Sequence, residues 1–153
     1  MSDLQATAQR RLEELVSFFG INAQVEAETT DEGILLEIAA SPETPRLIGY
    51  HGDTLRSIEF LMNQMMKRTH DDAPRVSVDV AGYKRSRKES LEAMAREIAE
   101  RVVASATEEE LAPMNPAERR IVHMALRDLP GIATESRGEG RGRRIVVLPA
   151  AAE

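Results

Sequence analysis

A chain of 153 residues, 42% of them hydrophobic, holds enough apolar material for one ordinary domain or two small ones. Its net charge of −6 argues against a protein that coats nucleic acid non-specifically, and the lack of cysteine excludes disulfides and thiolate metal sites. No apolar run approaches the roughly 20 residues of a membrane-spanning helix. The opening "MSDLQATAQRRLEELV" reads as an amphipathic helix and not a signal peptide, so no membrane insertion and a cytoplasmic setting are expected.

In chain order, Leu4, Ala8, Leu12, Leu15 and Phe19 recur at spacings of three and four, which predicts a first helix closed by Gly20. Ala23, Val25 and Ala27 alternate with polar residues, as do Ile34, Leu36 and Ile38. The intervening "TDEG" is turn chemistry, so the pair predicts a hairpin. "SPETPRLI" carries loop signals leading into a short helix. Leu55, Ile58, Leu61, Met62, Met65 and Met66 mark the buried stripe of a further helix, their methionines read as packing. Val76, Val78 and Val80 alternate as a third strand. Residues 1–82 therefore predict the order α-β-β-α-α-β.

After Gly82, Leu91, Met94, Ala95, Ile98, Val102 and Ala106 share one face of the longest helix. Its first turn is crowded with Lys84, Arg85, Arg87 and Lys88, a placement the helix dipole opposes. "EEELAPM" reads as a short extended segment. Asn115 then caps a helix with Pro116 in its first position, and "PG" ends it. "IATES" and "RRIVVLP" predict two strands around the tip "RGEGRG". The expectation is an α+β chain of two domains, 1–82 and 83–153, the second a small α-β-α-β-β unit.

Charge divides unevenly. Residues 1–74 hold 13 acidic and 6 basic side chains, net −7, and residues 75–153 hold 13 and 14, net +1. Basic residues cluster in "YKRSRK", "ERR" and "RGEGRGRR", so local patches must carry any phosphate binding. The acidic runs "TEEEL" and "DEG" read as solvated surface. Three histidines (His51, His70, His123) with no HExxH, P-loop, GxSxG or dinucleotide fingerprint give no catalytic constellation. The chain is expected not to be an enzyme and to use neither metal nor cofactor.

The candidate binding residues fall in two places. Gly49 and Gly52 bracket Tyr50 and His51 just before a helix start, where glycine lets a loop turn its amides outward beside the helix N-terminus. Asp53 is expected to cap that helix. In "ERRIVHMAL", Arg119 and His123 are four apart and share a helical face, with Arg120 about 100° round it.

A GxxG loop between two helices in the order α-β-β-α-α-β resembles the KH domain of type II, whose loop clamps single-stranded RNA. KH loops usually carry Lys or Arg where this chain has Tyr50 and His51, which implies a weaker electrostatic grip and leaves Tyr50 to stack or donate a hydrogen bond. "GYKRSRKESLEAMAREIAERV", "MNPAERRIVHMAL" and "TESRGEGRGRRIVVLP", in that order, resemble the bacterial Jag family (SpoIIIJ-associated proteins). That family joins a KH domain to a single-stranded nucleic-acid-binding domain named for its Arg-x-x-x-His motif. Many members carry a further N-terminal domain and linker that these 153 residues do not include, so nothing residing there transfers.

The resemblance implies a cytoplasmic RNA-binding protein, a post-transcriptional or cell-envelope regulator, partnered by single-stranded RNA and by a small KH-only protein or a second copy. The residues implied are Gly49, Tyr50, His51, Gly52, Lys84, Arg85, Arg119, Arg120, His123, Arg141 and Arg143. Arg119 suits phosphate pairing or base stacking, and His123 stacking or hydrogen bonding. Arg143 and Arg144 point to opposite faces of a strand, so only one of them is expected to meet nucleic acid. An adaptor whose KH fold serves protein contacts is the alternative, supported by the acidic first half and the uncharged loop pair.

Overall fold

The computed structural model describes residues 2–150, which form two compact units, Met1–Lys84 and Arg85–Glu153. The fold is α+β. In the first unit, α1 (Ser2–Ser17) precedes the strands β1 (Val25–Thr30) and β2 (Gly33–Ile38). Then come α2 (Thr44–Ile48), a single 3-10 turn at Tyr50–Gly52, α3 (Asp53–Thr69) and β3 (Val76–Val80). The sheet order is β1-β2-β3, with β1 antiparallel and β3 parallel to β2.

Period-two alternation explains the sheet. Ile34, Leu36 and Ile38 lie beside Val76, Val78 and Val80 in register, and all six are buried. They pack with Ala8, Leu12 and Val16 of α1 and with Leu55, Ile58, Met62 and Met66 of α3 in one core. Two expected core residues lie elsewhere. Leu61 is 45% exposed, because the buried stripe runs Ile58–Met62–Met66 and leaves it on the flank. Phe19 is exposed because α1 ends at Ser17, and three tight turns carry the chain on to Gly20.

Polar side chains close the open edges of this sheet. Asn63 of α3 donates to the Val76 carbonyl at 2.7 Å and accepts from the Val76 amide at 2.9 Å, acting as a short strand. Glu59 Oε2 accepts the Val78 amide at 2.9 Å. At the other edge, Gln9 donates to the Val25 carbonyl at 2.9 Å. These bonds occupy backbone groups that an edge strand otherwise offers to another chain.

In the second unit, α4 (Tyr83–Ser105, beginning at the unit boundary) is followed by β4 (Glu109–Glu110), α5 (Pro116–Leu126), β5 (Ile132–Arg137), a 3-10 turn at Gly140–Gly142 and β6 (Arg144–Pro149). The antiparallel sheet has the order β4-β6-β5. Leu91, Ala95, Ile98, Ala99 and Val102 of α4 form a core with Val122 and Leu126 of α5 and with Ile145 and Val147 of β6. Ala106, expected on the buried face, is exposed: its φ of 53° marks the left-handed residue at which α4 stops. Asn115 Oδ1 accepts the Glu118 amide at 3.0 Å with Pro116 in the first turn, a cap legible from the residues alone.

Candidate nucleic-acid interface

The glycine-bracketed loop belongs to the first unit. Gly49 ends α2 with φ 71°, and Gly52 opens α3 with φ 81°. A Cβ at Gly49 would lie 2.1 Å from Thr54 Oγ1, and one at Gly52 would lie 2.9 Å from the Tyr83 ring. Both positions therefore need glycine for close approach as well as for φ. The loop's own bonds hold it: the Gly49 amide donates to the Pro45 carbonyl at 2.9 Å and the Gly52 amide to the Gly49 carbonyl at 3.5 Å. Gly52 is buried, so of the amides expected to face outward, those of Tyr50 and His51 are the two without a backbone partner among the described residues.

Asp53 does not cap α3 with its side chain. Gly52 occupies the cap, and the Asp53 carboxylate instead pairs with Arg56 one turn on. Gly49→Ala is expected to cost about 2 kcal/mol, from a side chain forced into positive φ and onto Thr54. Urea unfolding followed by tyrosine emission checks it.

The outer face of the first sheet is acidic. Glu26, Glu37 and Asp79 lie side by side across β1, β2 and β3 in register. Like charges so opposed repel a phosphate chain from this face. Lys84, a candidate from sequence, is turned to it: its ammonium pairs with Glu59 and lies 3.3 Å from Ser77 Oγ.

The second unit gathers a different set. Arg119 is half-buried, with Nη1 donating to the Met114 carbonyl at 2.8 Å, which fixes the guanidinium while its remaining N–H groups stay available. One helical turn on, His123 is exposed with Nδ1 2.7 Å from Thr134 Oγ1 on β5, leaving Nε2 as its free ring nitrogen. Two residues along β5, Ser136 Oγ accepts Arg143 Nε at 2.9 Å. Arg119, His123, Thr134, Ser136 and Arg143 thus form a continuous polar line along α5 and the edge strand β5. Arg120 and Arg141 are exposed, and Arg85 makes a loose 3.5 Å pair with Glu89.

The other arginines of the hairpin lie on the opposite side of the sheet and are internally engaged. Arg137 Nη1 meets Glu108 at 2.9 Å and its Nε meets Glu135, while Arg144 Nε meets Glu110 at 2.6 Å. Arg101 meets Glu109 at 2.9 Å. "TEEEL" is therefore not idle solvated surface but the acidic partner of three arginines. Hydrogen bonds from Arg101 and Arg144 hold the carboxyls of Glu109 and Glu110 below the usual range. With the folded values lowered, that stabilisation is present above the ordinary carboxylate pKa and is lost as pH falls through the lowered ones.

Glu118, next to Arg119, is a buried charged residue that the spacing of charges did not reveal. It is 5% exposed, its Oε1 accepts Arg87 Nε at 2.8 Å, and its Oε2 is buried without a partner among the described residues. The available signal was its spacing: Glu118, Val122 and Leu126 fall on one stripe, four apart.

The R-three-H domain family, named for its Arg-x-x-x-His motif, matches residues 89–149, the span that carries this polar line. The RNA-binding protein KhpB of Clostridium symbiosum is 39% identical over 101 residues, 66% of this chain and 46% of that protein. The RNA-binding protein KhpB of Bacillus subtilis (strain 168) is 35% identical over 103 residues, 66% of this chain and 50% of that protein. That of Streptococcus pneumoniae is 26% identical over 133 residues, 87% of this chain and 40% of that protein. The chain thus spans half or less of the length of these curated relatives. It is similar to these KhpB proteins of the Jag family, and its residues 89–149 match the R-three-H domain family.

Proposed function

We propose that the chain binds single-stranded RNA and has no chemistry of its own, with residues 1–82 acting as a type II KH domain and residues 83–153 as the Arg-x-x-x-His module. The observation that carries this reading is the polar line Arg119–His123–Thr134–Ser136–Arg143, whose two guanidinium groups and free Ser136 hydroxyl hydrogen offer donors to phosphate or ribose oxygens, while the bonded His123–Thr134 pair offers a further polar contact. Relatives named as RNA-binding proteins support it. The Gly49–Gly52 loop supplies a second contact, and Arg120, Arg141 and Arg85 add exposed positive charge. Lys84 contributes less, being engaged by Glu59.

Contacts to phosphate and sugar position a strand without reading it, so base preference is modest. Binding through about four single-strand phosphates gives a log affinity that falls with log salt at a slope near −3. Fluorescence anisotropy of a labelled oligouridine at several salt concentrations measures it, and a flat response contradicts the proposal. The role is that of a cytoplasmic post-transcriptional or cell-envelope regulator, working beside a small KH-only protein or a second copy.

An adaptor role is the second reading. Exposed Phe18 and Phe60 on the first unit favour it, and it predicts no RNA binding even at low salt.

A further inference from the structure

We propose that the Gly49–Gly52 loop takes a nucleobase, stacked on Tyr50, and not a phosphate; this rests on the RNA-binding reading above and names the moiety of RNA that the loop receives. Five observations carry it. The Tyr50 and His51 rings are already stacked, with centroids 4.1 Å apart and planes 19° from parallel. Tyr50 is nonetheless 75% exposed, so its other face is open to a third ring.

His51 sits in the left-handed region at φ 49° and ψ 33°, a conformation that is strained for a residue with a side chain. The neighbouring turns hold the loop in place: Gly49 lies against Thr54 and Gly52 against the Tyr83 ring, so the pair is presented on a rigid base. A loop tip that displays a large aromatic on a strained neighbour is a placement that function explains and packing does not.

Charge points the same way. The ionised side chain nearest in sequence is Asp53, which repels phosphate and is paired with Arg56. Stacking tolerates this, because it draws on the ring face and works with every base. Two loop amides remain for a single backbone oxygen, but with Arg56 committed to Asp53 and no Lys or Arg in the loop itself they hold a phosphate weakly.

The test compares oligouridine with a ribose-phosphate oligomer of equal length that lacks bases, titrated into the full chain and into Tyr50→Ala and Tyr50→Phe. Tyr50→Ala is expected to weaken oligouridine binding about tenfold, Tyr50→Phe to keep it within about twofold, and the baseless oligomer to bind both variants like the parent. Tyrosine emission gives an independent readout, since the chain has two tyrosines and no tryptophan. Oligouridine should quench the parent, and Tyr50→Phe should remove most of that quenching.

Equal losses on both oligomers in Tyr50→Ala, or none on either, overturn the stacking site while leaving RNA binding intact. Failure of the parent to bind oligouridine at low salt overturns the RNA reading and the stacking site with it.

Discussion

Arg87→Ala is expected to destabilise the second unit by about 3 kcal/mol, the low end of the penalty for removing one partner of a buried ion pair. Glu118 is 5% exposed and already has one carboxylate oxygen without a partner among the described residues. Loss of the Arg87 guanidinium would strand the whole charge on the buried side of α5. The low end applies because the Arg87 side chain is 28% exposed, so water reaches part of the gap.

The reverse change should cost less. Glu118→Gln keeps an acceptor for Arg87 and removes the buried charge, so about 1 kcal/mol is expected. Replacing both residues together, Arg87→Met with Glu118→Leu, should recover most of the loss, since apolar pairs commonly match buried ion pairs in stability. Native-state hydrogen exchange of the α5 amides reports the second unit by itself. An Arg87→Ala cost below that of Glu118→Gln would show that the carboxylate is compensated by something other than the arginine.

Arg119→Ala combined with Arg143→Ala is expected to weaken oligouridine binding by about a hundredfold, roughly tenfold for each charge-assisted contact. The salt slope should shrink by about 0.7 for each phosphate lost. Arg137→Ala combined with Arg144→Ala is the matched control. It removes two arginines from the same hairpin, but from the face where Glu108, Glu110 and Glu135 engage them. RNA affinity should then stay within about twofold, because exposed ion pairs hold these charges away from the strand. Anisotropy titrations of the two double variants, side by side, separate a face-specific site from general attraction to positive charge.

Much of the fold could be read from local pattern. Ile34, Leu36 and Ile38, and Val76, Val78 and Val80, alternate and are buried, and the cap at Asn115 depends only on residues three positions apart. Where local pattern failed, a feature that hydrophobic spacing does not encode decided the outcome. Leu61 fits the helical period, but its exposure depends on which flank of α3 the sheet covers. Ala106 fits the stripe, yet a left-handed residue ends α4 there.

The site shows the same division. Arg119 and His123 were legible as a pair four apart, while the Thr134 hydroxyl that orients His123 is reached only because β5 lies against α5. The partners of Arg137 and Arg144 are 29 and 34 residues away, joined across β4, β6 and β5. Charge spacing alone cannot tell an arginine committed to such a lattice from one offered to a ligand. Glu118 was hidden by a different rule: a carboxylate on an apolar stripe reads as exposed until a distant arginine is seen to meet it.

Amide chemical shifts locate bound RNA on the protein residue by residue. With short oligouridine added to the isotope-labelled chain, shifts are expected at Arg119 to His123, at Thr134 to Ser136 and at Arg141 to Arg143, with a second set at Tyr50 and His51. The amides of Glu26, Glu37 and Glu108 to Glu110 should hardly move. Shifts confined to those acidic faces, or a titration that leaves α5 unmoved, would contradict this interface.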